Sequence, residues 1–302
     1  MLILVLCAAA LAACDDGGEP PGDSAEVTEA AEDADPPPEP DPDPDPDPAE
    51  EIEPERAEPA EPPVLAGDAE GLARQIAEAE QVIRSDGAGD AQIATAAHVQ
   101  QAAARHLARS PGLRDQVLPL VPEALRGPVA AHVEAATDLG ALTTPQPELP
   151  AWRIVAPPPP GQLLAHYREA QEAFGVEWEY LAAIHMVETR MGRIQGTSSA
   201  GAQGPMQFMP GTWAAYGEGD INNPRDAILG AGRYLAANGA PATMDNALFR
   251  YNNSNAYVRA ITTYAGQMQA DPRTFQGYYR WQVYYRHVDG DRLLPVGYDG
   301  AT

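Results

Sequence analysis

Residues 15–65 limit most strongly what this chain can fold into. The segment contains the run DADPPPEPDPDPDPDPAEE and carries 20 acidic side chains against one basic side chain, Arg56. Proline interrupts helices and sheet ladders, and like charges repel each other. Almost nothing apolar is present to be buried, so the segment predicts an extended, disordered acidic linker. A compact fold is therefore expected only after residue 65.

The first 14 residues, MLILVLCAAALAAC, form a short apolar run that ends in small residues and a cysteine. The run is shorter than the ~20 apolar residues that a membrane-spanning helix needs. Its end resembles the lipobox of bacterial lipoproteins, which implies cleavage before Cys14 and attachment of a diacylglyceryl group to its sulfur. Such an anchor would place the protein in the cell envelope, on a membrane and facing the periplasm or the cell exterior. An ordinary signal peptide or a fortuitous cysteine is the alternative.

The cysteine content and the net charge argue against a disulfide-stabilised protein and against a nucleic-acid-binding protein. Cys7 and Cys14 are the two cysteines, and cleavage before Cys14 would remove Cys7, so no disulfide is expected in the mature chain. The net charge is −25, and most of the excess lies in residues 15–65. The basic surface typical of a nucleic-acid-binding protein is absent, so we predict no nucleic-acid partner.

Residues 66–143 are rich in alanine and predict a small helical module. Asp68 and Asp90 are candidate N-caps of helices that reach about Arg84 and Ala108. Ser110-Pro111 predicts the start of a third helix. Gly127-Pro128 is expected to separate this helix from a fourth one that follows it. The scattered histidines of this module are interpreted as ordinary surface or internally bonded side chains; they are His98, His106 and His132.

Residues 144–161 contain PQPELP and PPPP and predict a second linker. The remaining residues, 162–302, predict a mostly helical domain. Gly175 and Gly192 are expected to end its first two helices, and Asn223 is expected to cap a later one. Two further helical pieces are interrupted near residues 252–255. The turn Asp289-Gly290 lies between two candidate strands and predicts a C-terminal hairpin. Five aromatic side chains near this hairpin fit packing better than sugar stacking: Tyr278, Tyr279, Trp281, Tyr284 and Tyr285.

Glu188 is the strongest candidate for a catalytic side chain. It lies near the end of a predicted helix, beside the apolar residues Ile184, Val187 and Met191. Burial and the negative end of the helix dipole both raise the pKa of a carboxyl group. A carboxylic acid that stays protonated near neutral pH can protonate a leaving oxygen. The same spacing also fits an exposed glutamate paired with an arginine, either Arg190 or Arg193.

Three short segments of the C-terminal part follow one another in a characteristic order. They are Glu188-Thr189, residues 198–213 with the sequence SSAGAQGPMQFMPGTW, and Arg250-Tyr251-Asn252. Together they resemble the three motifs of bacterial lytic transglycosylases, which read roughly Glu-Ser, Gly-Leu-Met-Gln and Ala-Tyr-Asn at similar intervals. Thr189, Pro205 and Arg250 depart from that pattern. The likeness covers about residues 162–270 and implies a lysozyme-like, mainly α fold.

The resemblance also implies roles for individual residues. Glu188 matches the family's single catalytic acid and base, and Tyr251 matches the tyrosine that donates a hydrogen bond to it. Ser198 and Gln207 match residues that contact the N-acetyl groups of the substrate. The full set of implied substrate-binding residues is Thr189, Ser198, Met206, Gln207, Phe208, Met209, Tyr251 and Asn252, with the methionines and Phe208 lining the sugar cleft.

The spacing offers no clear second catalytic carboxylate. Glu177 would lie roughly 16 Å from Glu188 along the helix, and Glu179 would lie on the opposite face. Asp220 is in a loop and remains open. The segment GDINNPRD lacks the glycine and final glutamate of an EF-hand loop, so it predicts a helix cap rather than a calcium site. We predict neither a metal nor a cofactor.

A single carboxylate suits the chemistry that the resemblance implies. Glu188 would protonate the oxygen between N-acetylmuramic acid (MurNAc) and N-acetylglucosamine (GlcNAc). As a base it would then activate the 6-hydroxyl of the sugar itself and leave a 1,6-anhydromuramyl end. The expected partners are peptidoglycan strands and a membrane reached through Cys14. The alternatives are a hydrolytic muramidase of the same fold and a non-catalytic peptidoglycan-binding lipoprotein.

Overall fold

The structure is a computed structural model that describes residues 61–300. The signal sequence, Cys14 and nearly all of the acidic linker lie outside the described residues. The described part contains eleven α-helices and four short strands. The helices are α1 (Ala69–Ile83), α2 (Asp90–Arg109), α3 (Pro111–Val117), α4 (Glu123–Ala141), α5 (Pro160–Phe174), α6 (Trp178–Thr189), α7 (Pro210–Tyr216), α8 (Pro224–Ala237), α9 (Met244–Tyr251), α10 (Asn255–Ala270) and α11 (Thr274–Tyr279). The strands are β1 (Arg153–Ile154), β2 (Ile194–Gln195), β3 (Val283–His287) and β4 (Gly290–Leu294).

The predicted mainly α fold with a C-terminal hairpin is confirmed, and several helix ends fall where their capping residues predict. Asp68 accepts from the N–H of Gly71, 2.8 Å away, at the start of α1. Asn223 accepts from two N–H groups at the start of α8. Gly175 ends α5 in the left-handed conformation, with φ +71°. β3 pairs antiparallel with β4, with Tyr285 opposite Arg292. Local capping chemistry therefore places most of the helices.

Two predicted helix boundaries are wrong. The helix α4 does not begin after Pro128 but at Glu123, and it runs through the proline. Pro128 has no N–H to donate to the carbonyl of Ala124, yet Val129 and Val133, which follow it, are almost completely buried. Their burial holds the helix together across the lost hydrogen bond. The helix α6 ends at Thr189, three residues before Gly192.

The proline-rich segment 144–161 is packed rather than free, which corrects its interpretation as a linker. Its strand β1 pairs antiparallel with β2. Trp152 and Ile154 are buried in a small core with residues of the C-terminal hairpin. The N–H of Gln146 donates to the carbonyl of Arg286, 3.0 Å away. The apolar side chains that lie between the prolines explain the difference, because a free linker would leave them in water.

The main core is built around α10, which packs against α4, α6 and α9. Tyr257, Ile261 and Tyr264 of this helix are fully or almost fully buried. Ile83 of α1 and Leu139 of α4 belong to the same buried cluster. The helices of residues 69–141 therefore share their core with the C-terminal part. A second, smaller cluster lies among α1 to α4.

A polar network is buried where α1, α2 and α4 meet the C-terminal part. Glu80 is completely buried and accepts a hydrogen bond of 2.8 Å from Gln100. Nδ1 of His132 lies 3.1 Å from its Oε1, and Arg84 lies 3.1 Å from its Oε2. The indole N–H of Trp281 donates to Gln100. Glu80 is thus surrounded by positive or hydrogen-bonding groups.

The histidine and aromatic predictions can be compared with these contacts. Nε2 of His98 lies 2.6 Å from the hydroxyl of Tyr284, and Nε2 of His132 lies 2.8 Å from that of Tyr278. These two histidines are internally bonded, as predicted. Most of the tail aromatics are buried, which confirms packing as their role: Tyr278, Tyr279, Trp281 and Tyr285. Among residues 61–300, none of the helices has the length and apolar character needed to cross a membrane.

Candidate active site

Glu188 is the next-to-last residue of α6, and its side chain is buried. Only 2 % of the residue is exposed, and within residues 61–300 it forms no ion pair with an arginine, so the alternative of an exposed, paired glutamate is wrong. Burial raises the pKa of this carboxyl to about 8, although the hydrogen bond from Tyr257 and the charge of Arg190 lower it in part. The nearby C-terminal carbonyls of the helix act in the same direction as burial. Glu188 is therefore protonated at neutral pH.

The hydroxyl that touches Glu188 belongs to Tyr257. It donates a 2.8 Å hydrogen bond to Oε1 of the glutamate. The predicted hydrogen bond from Tyr251 is wrong, because that hydroxyl donates instead to the carbonyl of Met206, 2.7 Å away. The rings of Tyr251 and Tyr257 are nearly parallel, with centroids 6.4 Å apart. Tyr251 thus supports the ring of the tyrosine that bonds Glu188.

The backbone turns sharply just after the catalytic candidate. Arg190 and Met191 have φ values of +55° and +61°, which are unusual for residues other than glycine. Thr189 is fully buried, and its hydroxyl donates a 2.6 Å hydrogen bond to the carbonyl of Pro205. The same oxygen accepts from the N–H of Gly192. Thr189 therefore joins the end of α6 to the 198–209 loop, which corrects its expected role as a substrate ligand.

The 198–209 loop is closed by its own hydrogen bonds. Gln203 and Phe208 exchange two backbone hydrogen bonds of 2.9 Å. A side chain at Gly204 would place a Cβ 2.0 Å from the carbonyl oxygen of Ile221, and φ there is +71°. Glycine is required at that position because the next segment approaches so closely. The hydroxyl oxygen of Ser198 accepts from the N–H of Ala202, 2.9 Å away, so it holds the first turn of the loop.

Two side chains expected to line the sugar cleft lie in the core instead. Met206 is completely buried, and Phe208 is 3 % exposed. The ring of Phe208 packs against Trp213 and Tyr251, with centroids 5.4 and 6.0 Å away. Met206 and Phe208 therefore pack the 198–209 loop against the core and do not face a ligand. Met209 is half-buried and remains a candidate for the cleft.

Two polar side chains of the motifs keep an unused acceptor. Gln207 has φ +52°, and its Nε2 donates to the carbonyl of Gly204. Its Oε1 is buried and has no hydrogen-bond partner within residues 61–300, and the same is true of Oδ1 of Asn252. Buried polar atoms without partners are rare in native proteins, because each costs about 1–3 kcal/mol. Both acceptors are therefore unsatisfied among residues 61–300.

The described part of the chain places no second carboxylate in contact with Glu188. Glu177 directly precedes α6, and its carboxylate accepts a hydrogen bond from the side chain of Gln269. Glu179 lies in the first turn of α6, where burial raises its pKa. Asp220 is exposed and accepts from the N–H of Asn222, as in a turn. No carboxylate contributes to the pKa shift of Glu188. In the described range, no cluster of three or more His, Cys, Asp or Glu residues could hold a metal ion.

Sequence reasoning missed two residues at this site. Tyr257 lies outside the three motifs and is separated from Glu188 by 69 residues. The only local signal is that Ser254 caps α10, which fixes the position of Tyr257 in its first turn. Arg190 is the second, and the sequence predicts for it only an ion pair with Glu188. Its side chain instead lies over the ring of Trp281, 6.0 Å from the centroid.

Comparison with known proteins agrees with this geometry. Residues 166–274 match the family model of the transglycosylase SLT domain. The membrane-bound lytic murein transglycosylase F of Thiobacillus denitrificans is 29 % identical over 144 residues, which are 45 % of this chain and 30 % of that protein. The chain thus aligns with less than a third of the relative's length. No solved structure matches the chain significantly. Residues 166–274 are therefore similar to transglycosylase SLT domains.

Proposed function

We propose that this protein is a peptidoglycan lytic transglycosylase that uses Glu188 as its single acid and base. One observation carries the proposal: inside an SLT transglycosylase domain, burial raises the pKa of Glu188 to about 8. A carboxyl group that is protonated at neutral pH can donate its proton to a leaving oxygen. The similarity to a lytic murein transglycosylase names the substrate class.

The reaction would proceed in two balanced steps. Glu188 first gives its proton to the oxygen between MurNAc and GlcNAc, and the bond from that oxygen to C1 of MurNAc breaks. The ionised Glu188 then removes the proton of the 6-hydroxyl, whose oxygen bonds to C1. The product is a 1,6-anhydromuramyl end, Glu188 is protonated again, and water is not consumed. Tyr257 would stabilise the ionised glutamate between the steps, since it already donates to Oε1.

The polar motif residues would hold the glycan strand. The unpaired acceptors of Gln207 and Asn252 fit the N–H and O–H donors of N-acetylated sugars. Met209 would offer an apolar contact at the entrance. Ser198 and Tyr251 would act by holding the loop and the ring of Tyr257 in place. Most of the predicted site residues thus keep a role. Some would contact the glycan strand, and the others would hold those contacts in position.

Mass spectrometry of the soluble products from peptidoglycan sacculi tests the proposal. The wild type should release anhydro-muropeptides, each lighter by one water than a hydrolysis product. Glu188→Gln should release about 10²–10⁴-fold less. Glu179→Gln is a matched control, because this residue lies on the same helix and burial also raises its pKa; it should keep the activity. Hydrated reducing ends would instead identify a muramidase, and binding without products would identify a non-catalytic peptidoglycan-binding protein.

We also propose that a lipid on Cys14 anchors the protein in the cell envelope. The support is the lipobox-like sequence before Cys14 and the membrane-bound character that the relative's name states. The acidic linker at 15–65 would then connect the anchor to the folded part. Cys14→Ser should move the protein from the membrane fraction to the soluble fraction. Intact mass of the wild type should show cleavage before Cys14 and an added diacylglyceryl group.

A further inference from the structure

A cavity that Glu188 does not line lies between the helices α2 and α4 and the C-terminal part. It has a volume of about 290 Å³. Four arginines line it, and they come from three segments of the chain: Arg105 and Arg109 from α2, Arg190 from the turn after α6, and Arg286 from β3. No acidic side chain is among its lining residues. Such a concentration of positive charge is unexpected in a chain whose net charge is −25.

One carboxylate partly balances these four charges. Asp291 accepts a hydrogen bond of 2.9 Å from Nε of Arg105 and one of 2.7 Å from Nη1 of Arg109. Because one carboxylate serves two guanidinium groups, the pair of arginines keeps a net positive charge. Neither Arg190 nor Arg286 forms an ion pair within residues 61–300. The cavity is therefore left with an excess of about three positive charges.

The two unpaired arginines also keep unused donors. Arg190 is 8 % exposed and makes one hydrogen bond, from Nη1 to the carbonyl of Met186. Arg286 donates from Nη1 to the carbonyls of Gly140 and Thr143. Nε and Nη2 of both arginines make no hydrogen bond among the described residues. A guanidinium group with these two donors free presents the pair of parallel N–H groups that matches a carboxylate.

The walls between the arginines are apolar and aromatic. Ala104, Ala108 and Leu139 line one side, and Trp281 and Tyr264 line another. Arg190 lies over the ring of Trp281, and Arg105 lies 5.1 Å from the centroid of Tyr284. At these distances each guanidinium group is attracted to the face of its ring. These walls favour a ligand that has a carbon skeleton between its charged groups over a simple inorganic ion.

We infer that this cavity binds a small organic anion that carries at least two carboxylate groups. Arg190 and Arg286 would each bind one carboxylate, while Arg105 and Arg109 attract the ligand by their shared excess of charge. The proposal does not depend on the activity of Glu188, which does not line the cavity. A free tricarboxylate and an acidic peptide released from peptidoglycan are two sources of the same chemistry.

Titration calorimetry on the full-length protein tests this inference with three probes. Citrate represents a free tricarboxylate, L-Ala-γ-D-Glu-meso-diaminopimelate represents an acidic peptide of peptidoglycan, and inorganic phosphate represents a bare anion. Binding of either organic probe, at least tenfold tighter than phosphate, is the expected result. Which organic probe binds more tightly identifies the source. Glu188→Gln should bind the organic anions as tightly as the wild type does. Loss of transglycosylase activity in this variant would therefore not affect the test of the cavity.

Three variants make the test specific to the cavity. Arg190→Gln should weaken organic-anion binding at least tenfold, and a melting curve shows whether the variant is folded. Asp291→Asn removes the carboxylate that competes for two arginines, and it should tighten binding several-fold, a gain that misfolding cannot produce. Arg153→Gln is the control, because Arg153 bonds to Gln195 outside the cavity. The inference is wrong if none of the probes binds, if phosphate binds as tightly as the organic anions, or if Asp291→Asn binds no more tightly than the wild type.

Discussion

Two buried glutamates in this molecule have opposite acidities. Glu188, in the SLT domain, is 2 % exposed, and Glu80, among the preceding helices, is completely buried. Burial is the largest influence on both and raises the pKa of each. For Glu188 it prevails and the pKa reaches about 8. For Glu80 the contacts with His132, Gln100 and Arg84 outweigh burial, and the pKa falls to about 2.

The difference shows that the surroundings of a buried carboxyl decide its role. Glu80 has a hydrogen-bonding or cationic partner on each oxygen, as expected for a structural charge. Glu188 has a hydrogen bond from the neutral hydroxyl of Tyr257 but no ion pair in the part of the chain that the structure describes. A carboxyl that is deprived of water and given few partners keeps its proton and can transfer it. Four predictions test this comparison, from the largest expected effect to the smallest.

The largest effect is expected in catalysis at Glu188. Glu188→Gln should lower product release from sacculi by about 10²–10⁴-fold, the usual contribution of a general acid or base. Glu80→Gln should keep the wild-type turnover per folded molecule, because Glu80 has no place in the proposed reaction. The measurement is the initial rate of release, divided by the folded fraction from circular dichroism. Equal losses in both variants would remove the distinction between the two glutamates.

The next effect is on stability at Glu80. Glu80→Gln should lower the free energy of unfolding at pH 7 by about 3–5 kcal/mol, since it removes the charge that His132 and Arg84 surround. Urea unfolding curves measure this difference. Glu78→Gln is the matched control, because Glu78 is exposed on the same helix. It should change the stability by less than about 0.5 kcal/mol. A neutral effect of Glu80→Gln would mean that the network adds nothing to folding.

The pH dependence of stability should have opposite signs at the two sites. Between about pH 4.5 and 8, the unfolded chain ionises Glu188 while the folded chain keeps it protonated, so the wild type loses stability as the pH rises. The advantage of Glu188→Gln over the wild type should grow there by about 1.4 kcal/mol per pH unit. Glu80 contributes fully above pH 4.5, and its contribution is lost as the pH falls towards 2. The deficit of Glu80→Gln should therefore shrink in acid.

Unfolding curves of both variants and the wild type across this pH range provide the measurement. Parallel stability profiles for Glu188→Gln and the wild type would show that the folded pKa of Glu188 is ordinary.

The smallest effect concerns the tyrosine beside Glu188. The hydroxyl of Tyr257 lowers the pKa of Glu188, so Tyr257→Phe should raise that pKa further. A hydrogen bond to a charged group contributes ~1.5–3 kcal/mol, which corresponds to roughly one to two pH units. The alkaline limb of the pH–rate profile should move upward by that amount. Tyr251→Phe is the control, because its hydroxyl bonds to Met206 rather than to Glu188; its alkaline limb should stay in place.

The sequence determined the local features of this protein. The capping side chains of Asp68 and Asn223 and the left-handed glycine at 175 act over a few residues, so their effects can be read directly. The three ordered motifs pointed to the transglycosylase family and to Glu188. The predictions were wrong where burial of apolar side chains outweighed the local preference of proline. This happened at Pro128 inside α4 and in the packed segment 144–161.

Tertiary structure alone decided which side chains meet. Glu188 and Tyr257 are 69 residues apart, and Arg105 and Asp291 are 186 residues apart. No periodicity or motif encodes such a pair, because each contact depends on how whole helices pack. The same packing buried Met206 and Phe208, left Gln207 and Asn252 with unused acceptors, and set the acidities of Glu188 and Glu80 in opposite directions. A carboxyl group's pKa is fixed by water and charge within a few ångströms, and only the folded chain places them.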